Sequence, residues 1–246
     1  MPPTVAWATR TGDALLASLG ARHRRERPSE GFALSTPQKH RWVLPAPARV
    51  VVLASGSGTL AQALLDGAAD GSVPVSVVAV VSDRPDVAVL DRAAAAGVEA
   101  LVVRPAEYPD RSAWDAALSD AVAARRPDLV VSAGFARVLG APFLDRFGGR
   151  TINTHPALLP AFPGAHAVRD TVAHGVKVSG ATVHLVDAGV DTGPVLAQTA
   201  VTVEPDDTEA TLHERIKVVE RRMLVDTVAA LVHHGATVTG RGVRIP

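Results

Sequence analysis

From Arg49 onward the chain alternates short β-branched runs with alanine-rich stretches of helical length, and this alternation limits its folds more than any other feature. It is typical of βαβ units, whose right-handed crossovers cover both faces of a parallel sheet. Strands are predicted at 49–54, 75–81, 100–103, 128–132 and 151–154. Helices are predicted at 59–69, 86–96, 111–125, 141–147 and 165–174. We therefore predict an α/β fold with a doubly wound, Rossmann-like and mostly parallel sheet.

The rhythm changes after Gly175. Two longer apolar runs, at 177–186 and 194–203, flank a glycine-rich link and predict an antiparallel hairpin at one edge of the sheet. A long helix is predicted at 207–234, ended by Gly235. Its apolar stripe consists of Leu212, Ile216, Val219, Met223 and Val228.

The first 48 residues lack this pattern and include an arginine-rich run at 22–27. They contain several prolines and only one modest apolar pattern, at 14–19, which does not support a packed core. We therefore expect residues 1–48 to be an N-terminal extension, disordered or loosely packed, and residues 49–246 to form a single domain.

Composition excludes several classes of site. Lys plus Arg and Asp plus Glu are both 25, so no overall field favours a nucleic acid or a membrane surface, and neither is an expected partner. The chain has no cysteine, which excludes disulfides, thiolate metal sites and cysteine nucleophiles. Its histidines and acids are not clustered at metal-ligand spacing, so no metal is expected. We find no signal or membrane-spanning segment and expect a cytoplasmic protein.

The turn Ser55-Gly56-Ser57-Gly58-Thr59 lies directly after one predicted strand and before a helix. Backbone amides at such a helix N-terminus bind phosphate groups. The spacing of Gly56, Gly58 and Ala61, with Asp83 after the second strand, also fits a dinucleotide fingerprint. An NAD-dependent dehydrogenase, a non-catalytic nucleotide-binding module and a purely structural turn therefore remain alternatives.

Polar side chains also end the strand at 151–154. Asn153 and His155 are two residues apart, so an amide donor and an imidazole project to one side, where they could flank a reacting carbonyl. Asp187 and Asp191 lie in the glycine-rich link, from which Asp191 could reach His155. Taken singly, a strand-end histidine is more often structural, and Asp with Gly is ordinary turn chemistry. Their combination is what indicates a catalytic centre.

Five segments together resemble the phosphoribosylglycinamide formyltransferase family of the purine pathway, particularly its actinobacterial branch. They are Ser55-Gly-x-Gly58, Ala133-Gly-Phe135, Asn153-x-His155-Pro-x-Leu-Leu-Pro160, Phe162-Pro-Gly164 and the link at 187–194. The resemblance implies an enzyme that transfers a formyl group from 10-formyltetrahydrofolate to the amine of 5'-phosphoribosylglycinamide. It also implies small-molecule partners, no metal, and a monomer or homodimer.

By this resemblance the catalytic residues are Asn153, His155 and Asp191. The residues implied on the folate side are Arg111, Ala136, Arg137, Val138, Leu139, Asn153, Asp187, Ala188, Gly189 and Val190. Those implied on the glycinamide ribonucleotide side are Gly58, Thr59, Leu60, Pro156, Lys217 and Glu220.

The chain departs from the family at two of these positions. Leu60 replaces a common asparagine, which leaves only backbone donation to the substrate phosphate there, and Ala136 replaces a larger apolar residue. From spacing alone, Lys217 and Glu220 would form an exposed ion pair on one helix face.

Two sister enzymes share the catalytic core and remain alternatives. Methionyl-tRNA formyltransferases carry a further C-terminal domain, which we do not expect after Gly240. Formyltetrahydrofolate hydrolases begin with a regulatory domain larger than the first 48 residues could form. The balanced charge also argues against tRNA.

Overall fold

The structure, a computed structural model, describes residues 39 to 246. Most of the predicted extension, residues 1 to 38, lies outside the described residues. A seven-stranded sheet in the order β4-β3-β2-β5-β6-β7-β8 forms the centre of the described part. Its parallel strands are β2 (Ala48–Leu53), β3 (Val75–Ser82), β4 (Glu99–Val102), β5 (Leu129–Ser132) and β6 (Thr151–His155). The antiparallel hairpin consists of β7 (Val178–Leu185) and β8 (Val195–Thr202). The predicted α/β fold with its mostly parallel sheet is confirmed.

Helices cover both faces of this sheet, and a short 3-10 turn (Pro105–Glu107) precedes the third of them. They are α1 (Thr59–Ala69), α2 (Ala88–Ala95), α3 (Arg111–Ala123), α4 (Ala141–Phe147), α5 (Ala167–His174) and α6 (Glu209–His234). All six agree with the predicted helices to within two residues at each end.

Strand β2 shows why both faces must be covered. Val50 and Val52 belong to the apolar cluster that includes α1, α2, α5 and α6, whereas Val51 and Leu53 belong to the cluster with α3 and α4. Successive side chains of a strand point to opposite faces, so a continuous apolar run requires two helical layers.

A second sheet, in the order β1-β9-β10, was not predicted. It consists of β1 (Lys39–Trp42), β9 (Ala236–Thr239) and β10 (Gly242–Arg244), all antiparallel. Trp42 and Leu44 are buried in the larger core cluster. Residues 39 to 48, within the predicted extension, therefore pack onto the domain here, through partners nearly 200 positions away that no local pattern indicates.

The order of the sheet places the polar loops of the central strands side by side. β2 lies between β3 and β5, and the chain continues from β3 to β4 on one side and from β5 to β6 on the other. In such sheets a crevice opens outside the carboxyl ends of the strands where the order reverses. Ser55 follows β2, Gly134 follows β5, and β6 ends at His155.

The loop after β6 is held by a buried hydroxyl on β7. Thr182 Oγ1 donates a hydrogen bond to the Ala157 carbonyl (2.7 Å) and accepts one from the Leu159 amide (3.1 Å). It also accepts one from Gln198 Nε2 (3.0 Å), which donates to the Leu159 carbonyl as well (2.8 Å). This network fixes the start of the segment that continues to Gly164.

Replacing Thr182 with valine should destabilise the domain by about 1–3 kcal/mol, because the Ala157 carbonyl and the Leu159 amide lose a buried partner. A urea unfolding curve at neutral pH measures the loss. The exposed Thr202→Val on β8 is the matched control and should change stability by less than about 0.5 kcal/mol. Equal stability of the two variants would show that the Thr182 network does not hold the loop.

Candidate active site

A cavity of about 400 Å³ opens outside the ends of β5 and β6. Its lining comes from the loop after β5, the end of β6, the loop after β6, the end of β7 and the link between β7 and β8. Among the predicted site residues it brings together Asn153, His155, Pro156, Asp191, Ala136, Arg137, Val138, Leu139, Asp187, Gly189 and Val190. Its volume lies within the usual range for sites of small ligands, about 300–1,000 Å³.

His155 lies at the end of β6 with its ring 4% exposed. Its Nε2 is 2.8 Å from the Phe162 carbonyl, and its Nδ1 is 3.3 Å from Asp191 Oδ2. A carbonyl only accepts hydrogen bonds, so Nε2 carries hydrogen and Nδ1 is the nitrogen that gains or loses a proton beside the carboxylate. Burial lowers the pKa of His155, and the Asp191 carboxylate and the Phe162 carbonyl oppose that shift without reversing it.

Asp191 has a left-handed backbone conformation, with φ of 53°. Its Oδ2 accepts a hydrogen bond from the Gly164 amide (2.7 Å), and its Oδ1 is 3.5 Å from His184 Nε2. Burial by itself raises the pKa of Asp191, but the neighbouring His184 ring, the hydrogen bond from the Gly164 amide and the His155 ring lower it more. The side chain is therefore a carboxylate at neutral pH.

His184 is a residue of this cluster to which the sequence analysis assigned no role. It lies on β7 directly opposite Asn153 in the antiparallel register and is buried. Its Nδ1 is 2.8 Å from the Leu185 carbonyl, which leaves Nε2 to accept from Asn153 Nδ2 at 3.2 Å. This contact turns the amino end of the Asn153 amide toward the cluster. The sequence did contain a signal for this residue. His184 lies within the apolar run that predicts β7, so its side chain could be expected to be buried.

The loop at 134–139 is held by hydrogen bonds with Ser55 and Arg111. Ser55 Oγ accepts a hydrogen bond from the Ala136 amide (2.8 Å), while the Ser55 amide donates to the Gly134 carbonyl (3.1 Å). Arg111 donates to the Val138 carbonyl, so it supports this loop and does not line the cavity. Ala188 is likewise absent from the cavity lining.

Asp83 does not have the role that a dinucleotide site requires. Its side chain is fully buried, and Oδ2 accepts a hydrogen bond from Arg137 Nε at 2.8 Å. A ribose-binding acid must present its oxygen atoms to the ligand. The pairing with Arg137 therefore argues against the dehydrogenase alternative.

The predicted phosphate loop leads directly into the N-terminus of α1. Gly58 adopts φ of 69° at the N-cap, and Thr59 starts the helix. The Leu60 side chain is buried in the larger apolar cluster, which explains why a leucine is compatible with this position. Only the backbone of Leu60 is therefore placed for an anionic ligand.

Lys217 and Glu220 both lie on α6, outside the cavity lining, and do not form the exposed pair that spacing alone indicated. Lys217 Nζ contacts Glu214, one turn earlier. Glu220 is 4% exposed, and its burial raises the pKa from 4.5 to about 7. Lys217 pairs with Glu214 and not with Glu220, because Glu220 faces the core while Glu214 faces solvent.

Within residues 39 to 246, no group of three or more histidine or acidic side chains is arranged to hold a metal ion. None of the helices in that range combines the length and apolar character that crossing a lipid bilayer requires.

Comparison with known proteins gives consistent matches. The family model described as formyl transferase matches residues 48 to 228. The phosphoribosylglycinamide formyltransferase of Mycobacterium tuberculosis is 63% identical over 196 residues, which cover 80% of this chain and 90% of the relative. That of Bacillus subtilis is 35% identical over 184 residues, covering 75% and 94%. The crystal structure of glycinamide ribonucleotide transformylase 1 from Symbiobacterium toebii aligns with a TM-score of 0.79 at 47% identity, covering 80% of this chain and 93% of that one.

The buried Glu220 should make stability depend on pH. Its folded-state pKa of about 7 exceeds the ordinary 4.5, so the unfolded chain loses the proton first, and stability falls as pH rises between these values. Glu220→Gln removes this penalty and should stabilise the domain by about 3 kcal/mol at pH 8 but little at pH 4.5. Thermal unfolding at both pH values measures the difference. Glu214→Gln, which removes an exposed carboxylate from the same helix, should not stabilise at pH 8.

Proposed function

Because the chain belongs to the formyl transferase family, we propose that it transfers the formyl group of 10-formyltetrahydrofolate to the amine of 5'-phosphoribosylglycinamide. The products would be formylglycinamide ribonucleotide and tetrahydrofolate, and two of its relatives are named for this formyl transfer. The reaction would be a step of purine biosynthesis, which the name of another relative mentions. The convergence of Asn153, His155 and Asp191 on one cavity is the observation that supports this function most directly. The enzyme is a folate-dependent one-carbon transferase.

The reaction is acyl transfer between two nitrogen atoms. The substrate amine attacks the formyl carbon, and the carbonyl oxygen becomes negative in a tetrahedral intermediate. The bond between carbon and the folate nitrogen then breaks, and that nitrogen takes up a proton as the amine loses one. Two groups are needed: a donor aimed at the developing oxyanion and a proton carrier.

Asn153 would be the donor. His184 accepts one hydrogen of its amide nitrogen, which leaves the second hydrogen for the intermediate's oxygen. Because His184 is itself held by the Leu185 carbonyl, the amide is oriented before substrate arrives. A preoriented donor loses little free energy to reorganisation during the reaction.

His155 and Asp191 would carry the proton. In the neutral ring, Nδ1 is bare and 3.3 Å from Asp191 Oδ2, so a proton accepted there is stabilised by the carboxylate at once. The lowered pKa of His155 keeps the ring able to accept at neutral pH. The Gly164 amide fixes the carboxylate, so the pair keeps its geometry.

The two substrates would approach from different loops. The segments at 136–139 and 187–190 offer backbone groups to the folate, with Arg111 supporting the first from behind. The amides of Gly58, Thr59 and Leu60 would receive the ribose phosphate, and Lys217 would lie on the glycinamide side. Glu220, the other residue implied on that side, faces the core and would support it from within α6. Pro156 would border the same region. A monomer or a homodimer is compatible with this arrangement.

A spectroscopic assay of 10-formyltetrahydrofolate conversion tests the proposal. Purified protein should turn over only when 5'-phosphoribosylglycinamide is added, and Asp191→Asn should abolish this turnover while leaving the fold intact by circular dichroism. Formate release without the amine would favour the hydrolase alternative. Absence of turnover in the folded wild-type protein would reject the proposed reaction.

Asn153→Ala should reduce kcat by about 100 to 1000-fold, because the oxyanion loses a preoriented donor. The control is Asn153→Asp, which keeps size and shape but offers a carboxylate to the same position and should be at least as slow. Steady-state kinetics at saturating concentrations of both substrates measures kcat. A variant with wild-type kcat would remove Asn153 from this role.

A further inference from the structure

We propose that Arg92, on α2, is a positioning residue for the phosphate loop at 55–59, acting on the ligand through the loop's backbone. The inference rests on the proposed function, in which this loop receives the phosphate of the amine substrate. Neither the sequence patterns nor the catalytic cluster indicated a functional role for α2, and none of its residues lines the cavity.

Helix α2 makes two consecutive hydrogen bonds to the loop. The Val89 amide donates to the Gly56 carbonyl (3.2 Å), and Arg92 Nε donates to the Ser57 carbonyl (2.8 Å). The Val89 side chain packs directly against Gly58, so no larger residue fits there without moving α2. The loop therefore rests on one turn of α2.

These two bonds set the direction of two peptide planes. In a trans peptide the carbonyl and the following amide hydrogen point in opposite directions. Holding the Gly56 and Ser57 carbonyls toward α2 directs the amides of Ser57 and Gly58 away from it. Successive amides facing one way, followed by a helix N-terminus, form an anion-binding concavity. Rotation of the plane after Ser57 would instead present a carbonyl oxygen to the phosphate.

The Arg92 side chain is itself fixed. Its Nη1 donates to Gln62 Oε1 (3.1 Å), and Gln62 Nε2 donates to Asp66 Oδ1 (2.8 Å). The planar guanidinium can hold the Ser57 carbonyl and the Gln62 amide at the same time, which a lysine ammonium on a flexible stem does less well. Arg92 is half-buried and thus keeps this geometry better than a fully exposed side chain.

The groove beside Arg92 provides a matched control. Arg222 lines the same groove, carries the same charge, is exposed and is paired with Asp226 at 3.6 Å. It makes no hydrogen bond to residues 55–59 within the described part of the chain. Removing Arg222 therefore reports the loss of one nearby positive charge without a change in loop geometry.

The test measures KM and kcat of Arg92→Met, Arg92→Lys and Arg222→Met with the phosphorylated substrate and with its dephosphorylated ribonucleoside. Arg92→Met should raise KM for the phosphorylated substrate about tenfold or more, since a hydrogen bond from a charged donor is lost. The folate KM and kcat should stay within about twofold. With the ribonucleoside, wild type and variant should have the same KM, because the loop then has no phosphate to bind.

Each variant distinguishes positioning of the loop by Arg92 from a general effect of charge or of lost structure. Arg92→Lys keeps the charge, so a raised KM in this variant supports positioning, and an unchanged one overturns it. Arg222→Met should change KM less than about twofold; a rise equal to that of Arg92→Met would mean that only net charge matters. An equal rise with the ribonucleoside would indicate general loss of structure and also overturn the proposal. Wild-type protein without amine-dependent turnover would instead reject the proposed function.

Discussion

The Asp191 carboxylate organises the site, since a partly buried charge is tolerated only when its oxygen atoms have partners. Its oxygens contact the Gly164 amide and the rings of His155 and His184. These partners come from the loop after β6, from β6 itself and from β7. Each ring nitrogen that does not face Asp191 is held by a main-chain carbonyl, of Phe162 or Leu185. The geometry of the cluster is therefore fixed by main-chain atoms before any ligand binds.

A similar reliance on backbone atoms explains how the chain accommodates its departures from the family. Ser55 joins the loop at 55–59 to the loop at 134–139 by accepting from the Ala136 amide and donating to the Gly134 carbonyl. These bonds do not depend on the side chain at 136. The amide of Leu60 likewise stays at the start of α1 while its side chain fills the core. Substitution at these two positions leaves the loops' hydrogen-bonding directions intact.

Local patterns were sufficient for most of the fold. Helix α6 follows its apolar stripe, α1 follows the glycine turn, and β2 follows a run of valines that two helical layers cover. The second sheet escaped prediction because β1 is a polar segment, stabilised by pairing with β9 near the opposite end of the chain. The Lys217 pairing was wrong for a related reason: spacing shows which residues share a helix face, but not which of them the rest of the protein buries.

By itself, the sequence determined where β2 to β8 and the six helices lie along the chain, and it determined the candidate residues Asn153, His155 and Asp191. Periodicity and motif spacing are properties of neighbouring residues, so they can be read without the fold. Only the tertiary structure decided that His184 contacts the Asn153 amide, that Arg111 holds the Val138 carbonyl, and that Arg92 holds the Ser57 carbonyl. These contacts join residues 27 to 35 positions apart. The packing of whole elements brings them together, and no local pattern in the chain records the distance between two side chains that meet only after folding.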